Sequence, residues 1–326
     1  MRRSADVVIR MQLNLSDMKK EELPLVSVPV ITYNSAKTVI ETLESVKAQT
    51  YPNIELIISD DCSTDNTVEL CCEWIEKNNA RFARTELITV EKNTGVSANN
   101  NRVEAACLGE WVKGIAGDDI MLPNCIQDCM DYVNTHPDTV YLFGRQDAFG
   151  ADAEYCEKIN KNFDYSFFSL SKEEQLHYLI FKGNCVPATT VFYNRKKAKE
   201  IGITNDERIP LLEDWPKWIN LLRAGVKLHF VDKVLVKYRI GGISTNTNSM
   251  YLSRNYYKNT RMFCFLYQYP EWYRMNKDEA IERVVKEEME IYQWLLDSEK
   301  QLVQIQQSKA YRFGKILLKP FKWFTR

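Results

Sequence analysis

Histidine is scarce in this chain, three in 326 residues, and none of its nine cysteines forms a C-x-x-C pair. A zinc-type centre therefore has no ligand framework, although Cys71–Cys72 and the helix-spaced Cys125 and Cys129 invite one. These cysteines read as small apolar core residues. A secretory opening is also missing: MRRSADVVIRMQLNLSDMKKEEL carries arginines, but Arg10, Gln12 and Asn14 break its apolar run. That points to a reduced, cytoplasmic setting and against a disulfide framework. No stretch reaches the roughly 18 apolar residues that a bilayer span requires. Excess charge is absent as well: the net charge is −1, so no global field draws the protein to nucleic acid. There is no internal repeat and no low-complexity segment.

What is present is ordinary globular material, 45% hydrophobic and 27% charged, long enough for a sizeable core. Residues 1–23 read as a leader, with Met18 a candidate later start. From Pro24 to about Gly144, short apolar runs alternate with amphipathic stretches. LVSVPVI (25–31) reads as a strand, residues 36–49 as a helix, and ELIISD (55–60) as the next strand. TVELCCEWIEKN follows as a helix with Ser63, Thr64 and Asp65 as candidate caps. ELITV, EWVKGIA and TVYLFG alternate with helices near 97–108 and 123–134. Such alternation predicts an α/β fold with a mostly parallel, doubly wound sheet, whose ligands sit at the carboxyl ends of the strands.

Two Asp-Asp pairs fall at those ends, Asp60–Asp61 after the second strand and Asp118–Asp119 after the fourth. Carboxylates gathered at one rim repel each other unless a cation or hydrogen-bond donors compensate. A Mg²⁺ or Mn²⁺ ion bridging phosphates would do so, and so would plain solvation of helix-capping loops. Beyond 145 the rhythm loosens. Residues 250–310 read as helical, with Ile281, Val284, Val285, Met289, Tyr292, Leu295, Leu296, Leu302 and Ile305 on one broad stripe, a packing face or a partner helix.

The blocks VSVPVITYN, ELIISDDCSTDNT, NTG, GEWVKGIAGDDIMLP and LLEDW, in this order and spacing, resemble the family 2 glycosyltransferases of GT-A fold over residues 24 to about 245. The resemblance implies a Rossmann-like nucleotide-sugar domain (24–145), an acceptor-binding region (146–249) and a helical C-terminal extension (250–326). It places Tyr33 and Asn34 in the nucleobase pocket, with Asp61 as base contact and Asp60 beside it. A carboxylate accepting the N3–H of uracil favours UDP. The family's Asp-x-Asp block falls on Ala116–Gly117–Asp118, so its first carboxylate is missing; Asp118, with Asp119, is the implied metal site. Asn101 matches a family asparagine, while Asn100 stands where an arginine is usual. Glu213–Asp214 matches the acidic pair that supplies the catalytic base; a carboxylate at a helix N-terminus, with Pro216 in the first turn, is expected to stay ionised. Tyr238–Arg239 before GGIST resembles the segment that closes over the donor diphosphate, Arg239 serving a phosphate or a structural ion pair.

The implied reaction is inverting transfer of a sugar from a nucleotide-sugar donor to a hydroxyl of a saccharide or lipid-linked saccharide, in bacterial surface polysaccharide synthesis. Mn²⁺ or Mg²⁺ is the implied cofactor. The tail YRFGKILLKPFKWFTR (311–326), basic and aromatic without an acidic residue, reads as a peripheral contact with the inner face of the membrane, or as a packed tail. A sugar nucleotidyltransferase would want a glycine-rich basic loop where VITYNSAK stands, and an aspartyl phosphotransferase an Asp-x-Asp-x-Thr that IISDDCSTD does not supply. A catalytically inactive nucleotide- or carbohydrate-binding scaffold of the same fold stays open because of Ala116.

Overall fold

The computed structural model describes residues 23–161, 163–241, 254–275 and 277–308. The leader 1–22 with Met18, residues 242–245 of the GGIST segment and the tail 311–326 lie outside the described residues.

Three β-branched runs form one parallel side of the sheet: β1 (Val26–Thr32), β2 (Ile54–Asp60) and, at the edge, β3 (Arg84–Thr89). Every residue of β2 is buried, as a strand covered on both faces requires. The crossovers are α1 (Val39–Lys47) and α2 (Thr67–Asn78). None of the three candidate caps holds the N-cap position of α2, which is Asn66; Asp65, one residue earlier, accepts from Thr67 N at 3.1 Å. Ser63 instead donates to Asp60. After α3 (Val96–Ala106) the chain re-enters beside β1 as β4 (Trp111–Lys113) and β5 (Ile115–Ala116), both parallel to it.

The other half of the sheet is mixed. After β6 (Ile120–Met121) and α4 (Cys125–Thr135) comes β7 (Tyr141–Phe149), then α5 (Ala153–Lys161), α6 (Lys172–Phe181), β8 (Phe192–Asn194), α7 (Arg195–Ile201), α8 (Asp214–Arg223) and β9 (Leu228–Arg239). The strand order is β3-β2-β1-β4-β8-β7-β9-β6, with β5 added on β1. Strand β8 runs antiparallel to β4 and β7, and β6 antiparallel to β9. Strand β7 passes through position 145, so one sheet draws on both the 24–145 and the 146–249 segments. The helix α9 (Arg254–Phe263) completes a compact unit that ends at Cys264.

From Phe265 onward a second unit holds α10 (Tyr269–Met275) and the long α11 (Lys277–Gln307). Tyr269 Oη donates to Glu287 Oε2 at 2.9 Å, and the Arg283 guanidinium lies 5.7 Å over the Trp272 ring. Within the expected stripe Ile281, Val285, Met289 and Ile305 are exposed, whereas the side chains of Tyr292, Leu295 and Leu302 lie outside the described residues. No described helix is long and apolar enough to cross a membrane.

Glu55, fully buried on β2, ties the parallel strands together. It accepts from Ser27 Oγ at 2.5 Å, Leu108 N at 2.6 Å, Gly109 N at 2.9 Å and Arg84 Nη1 at 3.0 Å. Burial alone would raise its pKa, but these donors hold the carboxyl below its ordinary value. Its contribution is therefore complete above the unfolded-state pKa and is lost as pH falls through the lower folded value. We predict that Glu55→Gln costs about 3 kcal/mol at neutral pH, lowering Tm by roughly 8 °C. It should also flatten the acid limb of stability against pH. Thermal unfolding across pH 3–8, at an unchanged Tm, would refute this role.

Candidate active site

Strands β2, β1 and β5 end side by side, with Thr32 opposite Asp60 and Ile31 opposite Ala116. The sequence-predicted residues 33–34, 61 and 118–119 therefore leave the sheet along one edge. Asn34 turns there in the left-handed region (φ 51°), which asparagine tolerates better than most residues. Its N–H donates to Ser63 Oγ at 2.7 Å and its Oδ1 accepts from Thr64 N at 2.8 Å, stitching the first loop to the second. Beneath them the buried Asp60 accepts from Thr32 Oγ1 at 2.8 Å and from Ser63 N and Oγ at 2.8 and 2.6 Å. Asp60 braces the turn. Tyr33 is 44% exposed and presents its ring at the rim.

Asp61 is buried under the Asn93–Gly95 turn. Its Oδ2 accepts from Thr94 N at 2.9 Å and Gly95 N at 2.7 Å; its Oδ1 accepts from Thr94 Oγ1 at 2.6 Å and Arg102 Nη2 at 3.3 Å. A carboxylate offers about four acceptor positions, and here all are occupied. Arg102 was not singled out from sequence. It stands two residues after Asn100, where an arginine seemed lost, and also donates to Ser59 Oγ and Asn99 Oδ1. The turn demands glycine at 95, where φ is +88° and a Cβ would lie 2.8 Å from Pro210 Cβ. Asn101 uses its amide on another loop: Nδ2 donates to Asn205 O at 3.0 Å and Oδ1 accepts from Asn205 N at 2.9 Å.

Asp118 and Asp119 follow β5 through Gly117, where a Cβ would meet Thr32 Cγ2 at 2.8 Å. Asp119 is buried, and its Oδ1 accepts from Arg239 N at 2.8 Å. Burial and the neighbouring Asp118 push its carboxyl up to about 8. Asp118 is half-buried and raised chiefly by burial. Arg239 pairs with Glu41, donates through Nε to Asp118 O at 2.7 Å and lies 4.4 Å over the Phe149 ring. Of its two expected uses, the described contacts are those of the ion pair. Among the described residues no group of three or more His, Cys, Asp or Glu is arranged to hold a metal ion. The half-buried carboxylate of Asp118 suits a hard cation that takes one or two carboxylates and completes its shell from phosphate oxygens and water. It does not make a self-sufficient metal cage.

The remaining predicted pair, Glu213 and Asp214, opens α8 and lines a cavity of about 120 Å³. Ile31, Ala116, Asn100 and Lys217 line it too, so it reaches from the strand edge to α8. Trp218 is also in the lining; its buried indole N–H has no hydrogen-bond partner among the described residues. Asn184 Nδ2 donates to Asp214 Oδ2 at 2.7 Å. Burial and Asp214 push Glu213 up to about 7, against the pull of Lys217. Asp214 is also raised by burial, although the Trp215 N–H and Asn184 oppose it. Asp214 is thus drawn two ways: desolvation raises its carboxyl, while the first-turn N–H groups and Asn184 favour its charged form. Asp61 and Asp118 thus share one edge of the sheet, and Asp214 shares a cavity with Ala116, two residues before Asp118.

Residues 27–202 match the family model described as glycosyl transferase family 2. Among curated proteins, the chain is 25% identical over 225 residues to the putative teichuronic acid biosynthesis glycosyltransferase TuaG of Bacillus subtilis, covering 69% of this chain and 82% of that one. It is 26% identical over 226 residues to the Escherichia coli UDP-Glc:alpha-D-GlcNAc-diphosphoundecaprenol beta-1,3-glucosyltransferase WfaP, covering 69% and 81%. Among solved structures, S. aureus TarS 1–349 with UDP-GlcNAc superposes with a TM-score of 0.57 at 20% identity, over 74% of this chain and 66% of that one. The mannosyltransferase PcManGT from Pyrobaculum calidifontis, with GDP-Man and Mn²⁺, gives 0.54 at 15% identity over 90% and 84%. The longer TarS chain is covered to 39%. At these identities the structures speak for the fold alone.

Proposed function

The chain belongs to glycosyl transferase family 2, and from that premise we propose that this GT-A-fold glycosyltransferase moves a sugar, with inversion, from a nucleotide-sugar donor to an acceptor hydroxyl. The observation that carries the reading is the cavity lined both by Asp214 and by Ala116 at the strand end, two residues before Asp118. The diphosphate belongs at the Asp118 end and the sugar between it and Asp214. There the half-buried Asp214 takes the acceptor hydroxyl's proton as its oxygen attacks the anomeric carbon. Asn184 fixes one carboxylate oxygen of Asp214. Tyr33 and the Asn34 turn flank the base, and the Asp61-held Thr94–Gly95 backbone forms the floor of that pocket.

UDP is the favoured nucleotide, in keeping with the donor named for WfaP and the ligand of the TarS complex. The curated relatives favour a lipid-linked or cell-surface saccharide as acceptor. Asp118, with Asp119 behind it, would hold Mn²⁺ or Mg²⁺ against the diphosphate; when bound, the ion neutralises charge on the leaving nucleotide. The tail 311–326 would rest on anionic lipid on the inner face of the membrane. The rival reading, a non-catalytic scaffold, draws on Ala116.

Three measurements test these proposals. Asp214→Asn should abolish transfer, by at least about 10³-fold, while nucleotide affinity stays within a factor of about three. A loss of donor affinity as large as the loss of rate would remove Asp214 from the base role. Chelation should suppress turnover of UDP-, GDP- or dTDP-sugars, and Mn²⁺ or Mg²⁺ should restore it. Full activity in chelator would sink the metal assignment, and no turnover with any donor would favour the scaffold. Finally, high salt should release the protein from membranes, and deleting 311–326 should have the same effect; an unchanged membrane fraction would count against the tail.

A further inference from the structure

Lys217 is a buried charge that the proposed mechanism leaves without a task. It is 4% exposed, on the third and fourth residues past Asp214 and Glu213, hence on their side of α8. Its Nζ donates to Glu104 Oε1 on α3 at 2.8 Å and lies 5.5 Å from the Tyr193 ring centroid on β8. Lys217 and Glu104 both line the cavity that holds Glu213 and Asp214. An ion pair at this depth is poor evidence for a stabilising role, because desolvating both charges consumes most of their attraction. Its position inside the cavity calls for another explanation.

We propose that Lys217, held in place by Glu104, is a positioning residue that sets the charge balance of the Glu213–Asp214 pair, so that one carboxylate is free to accept a proton near neutral pH. The inference rests on Asp214 acting as the base. Two carboxyls side by side in a half-buried cavity cannot both ionise without a compensating cation. The charged and titratable groups on the elements around them are few. From α8 comes Lys217, from α3 Glu104, and from β8 Tyr193, whose hydroxyl burial and Glu104 keep protonated. The 184 loop offers only the neutral Asn184. Helix α6 meets α8 through the Leu179 carbonyl, which accepts from Trp215 Nε1, and α9 through Phe263 stacked on Trp215. Strand β4 adds the buried Lys113, whose Nζ is taken up by the Gly114 and Thr189 carbonyls. Lys217, on the same helix as the pair, is therefore the cation that acts on Glu213, and Glu104 tempers it.

This arrangement has a signature that simple packing lacks. Removing the ammonium and removing its counter-ion should move the same titration in opposite directions. The rate should rise with pH as the pair loses its proton, since the base must be ionised. Lys217→Met withdraws the cation and leaves Glu104 as an additional anion, so the limb of kcat against pH should move up by about one pH unit. Glu104→Gln leaves the ammonium unopposed, and the limb should move down. The double variant should return it close to the wild-type position, and Lys217→Arg should restore most of the neutral-pH rate. KM for the donor should change less than kcat in each single variant. Limbs that stay put, or that move the same way in both single variants, would overturn the inference even where rates fall; unchanged thermal unfolding of Glu104→Gln and Lys217→Arg secures the comparison. Should Asp214→Asn itself retain transfer, the base assignment falls and this inference with it. Loss of transfer in Asp214→Asn with unmoved limbs sinks the inference alone.

Discussion

A buried carboxylate must be given donors or give up its charge, and this rule sorts the acids of the chain into two groups. Glu55, Asp60 and Asp61 each receive several hydrogen bonds from backbone, hydroxyl or guanidinium groups. For Glu55 and Asp61 the donors come from segments far away in sequence, so each of these two acids ties several segments together. Asp119, Glu213 and Asp214 receive fewer donors for their depth, and their carboxyls are raised. The first group is scaffold. The second is raised by burial, and two of its members, Glu213 and Asp214, line the cavity between the strand edge and α8.

The same contrast explains what the sequence disclosed and what it withheld. Strands β1 and β2 were legible because β-branched runs bounded by turn residues leave few alternatives. The placing of Asp61 and Asp118 at strand ends followed from them. The short strands β6 and β8 have two or three residues each and no periodicity to read; β4 and β5 were legible only as one run, EWVKGIA, which the structure divides at Gly114. Partnerships were the least legible part. Arg102 under Asp61, Arg239 against Glu41 and Lys217 against Glu104 join residues that only the fold brings together. The amphipathic pattern reports which side of an element is buried and is silent about which charge waits there. At Asp214 the helix terminus is visible in sequence, and the depth of burial that opposes it is not.

Ala116 shows how the site absorbs a missing carboxylate. Its neighbour Gly117 is packed too closely against Thr32 to admit a side chain, so the loop keeps its course although the first acid of the motif is gone. The methyl group of Ala116 then faces the cavity where a carboxylate would have added a further negative charge beside Glu213 and Asp214. Fewer acids at this rim mean less mutual repulsion.

The clamp made by Arg239 bears on how the protein comes into being. Asp118, Asp119 and Glu41 all wait for a residue at the far end of β9, and β6 finds its described strand partner only there. Closing a contact across 120 positions is slow compared with forming the neighbouring parallel strands. On the ribosome, the parallel β1–β2–β3 core can therefore assemble early, while this corner stays open until β9 has emerged from the exit tunnel. The corner that carries Asp118 and Asp119 is thus closed by the last strand made for the sheet.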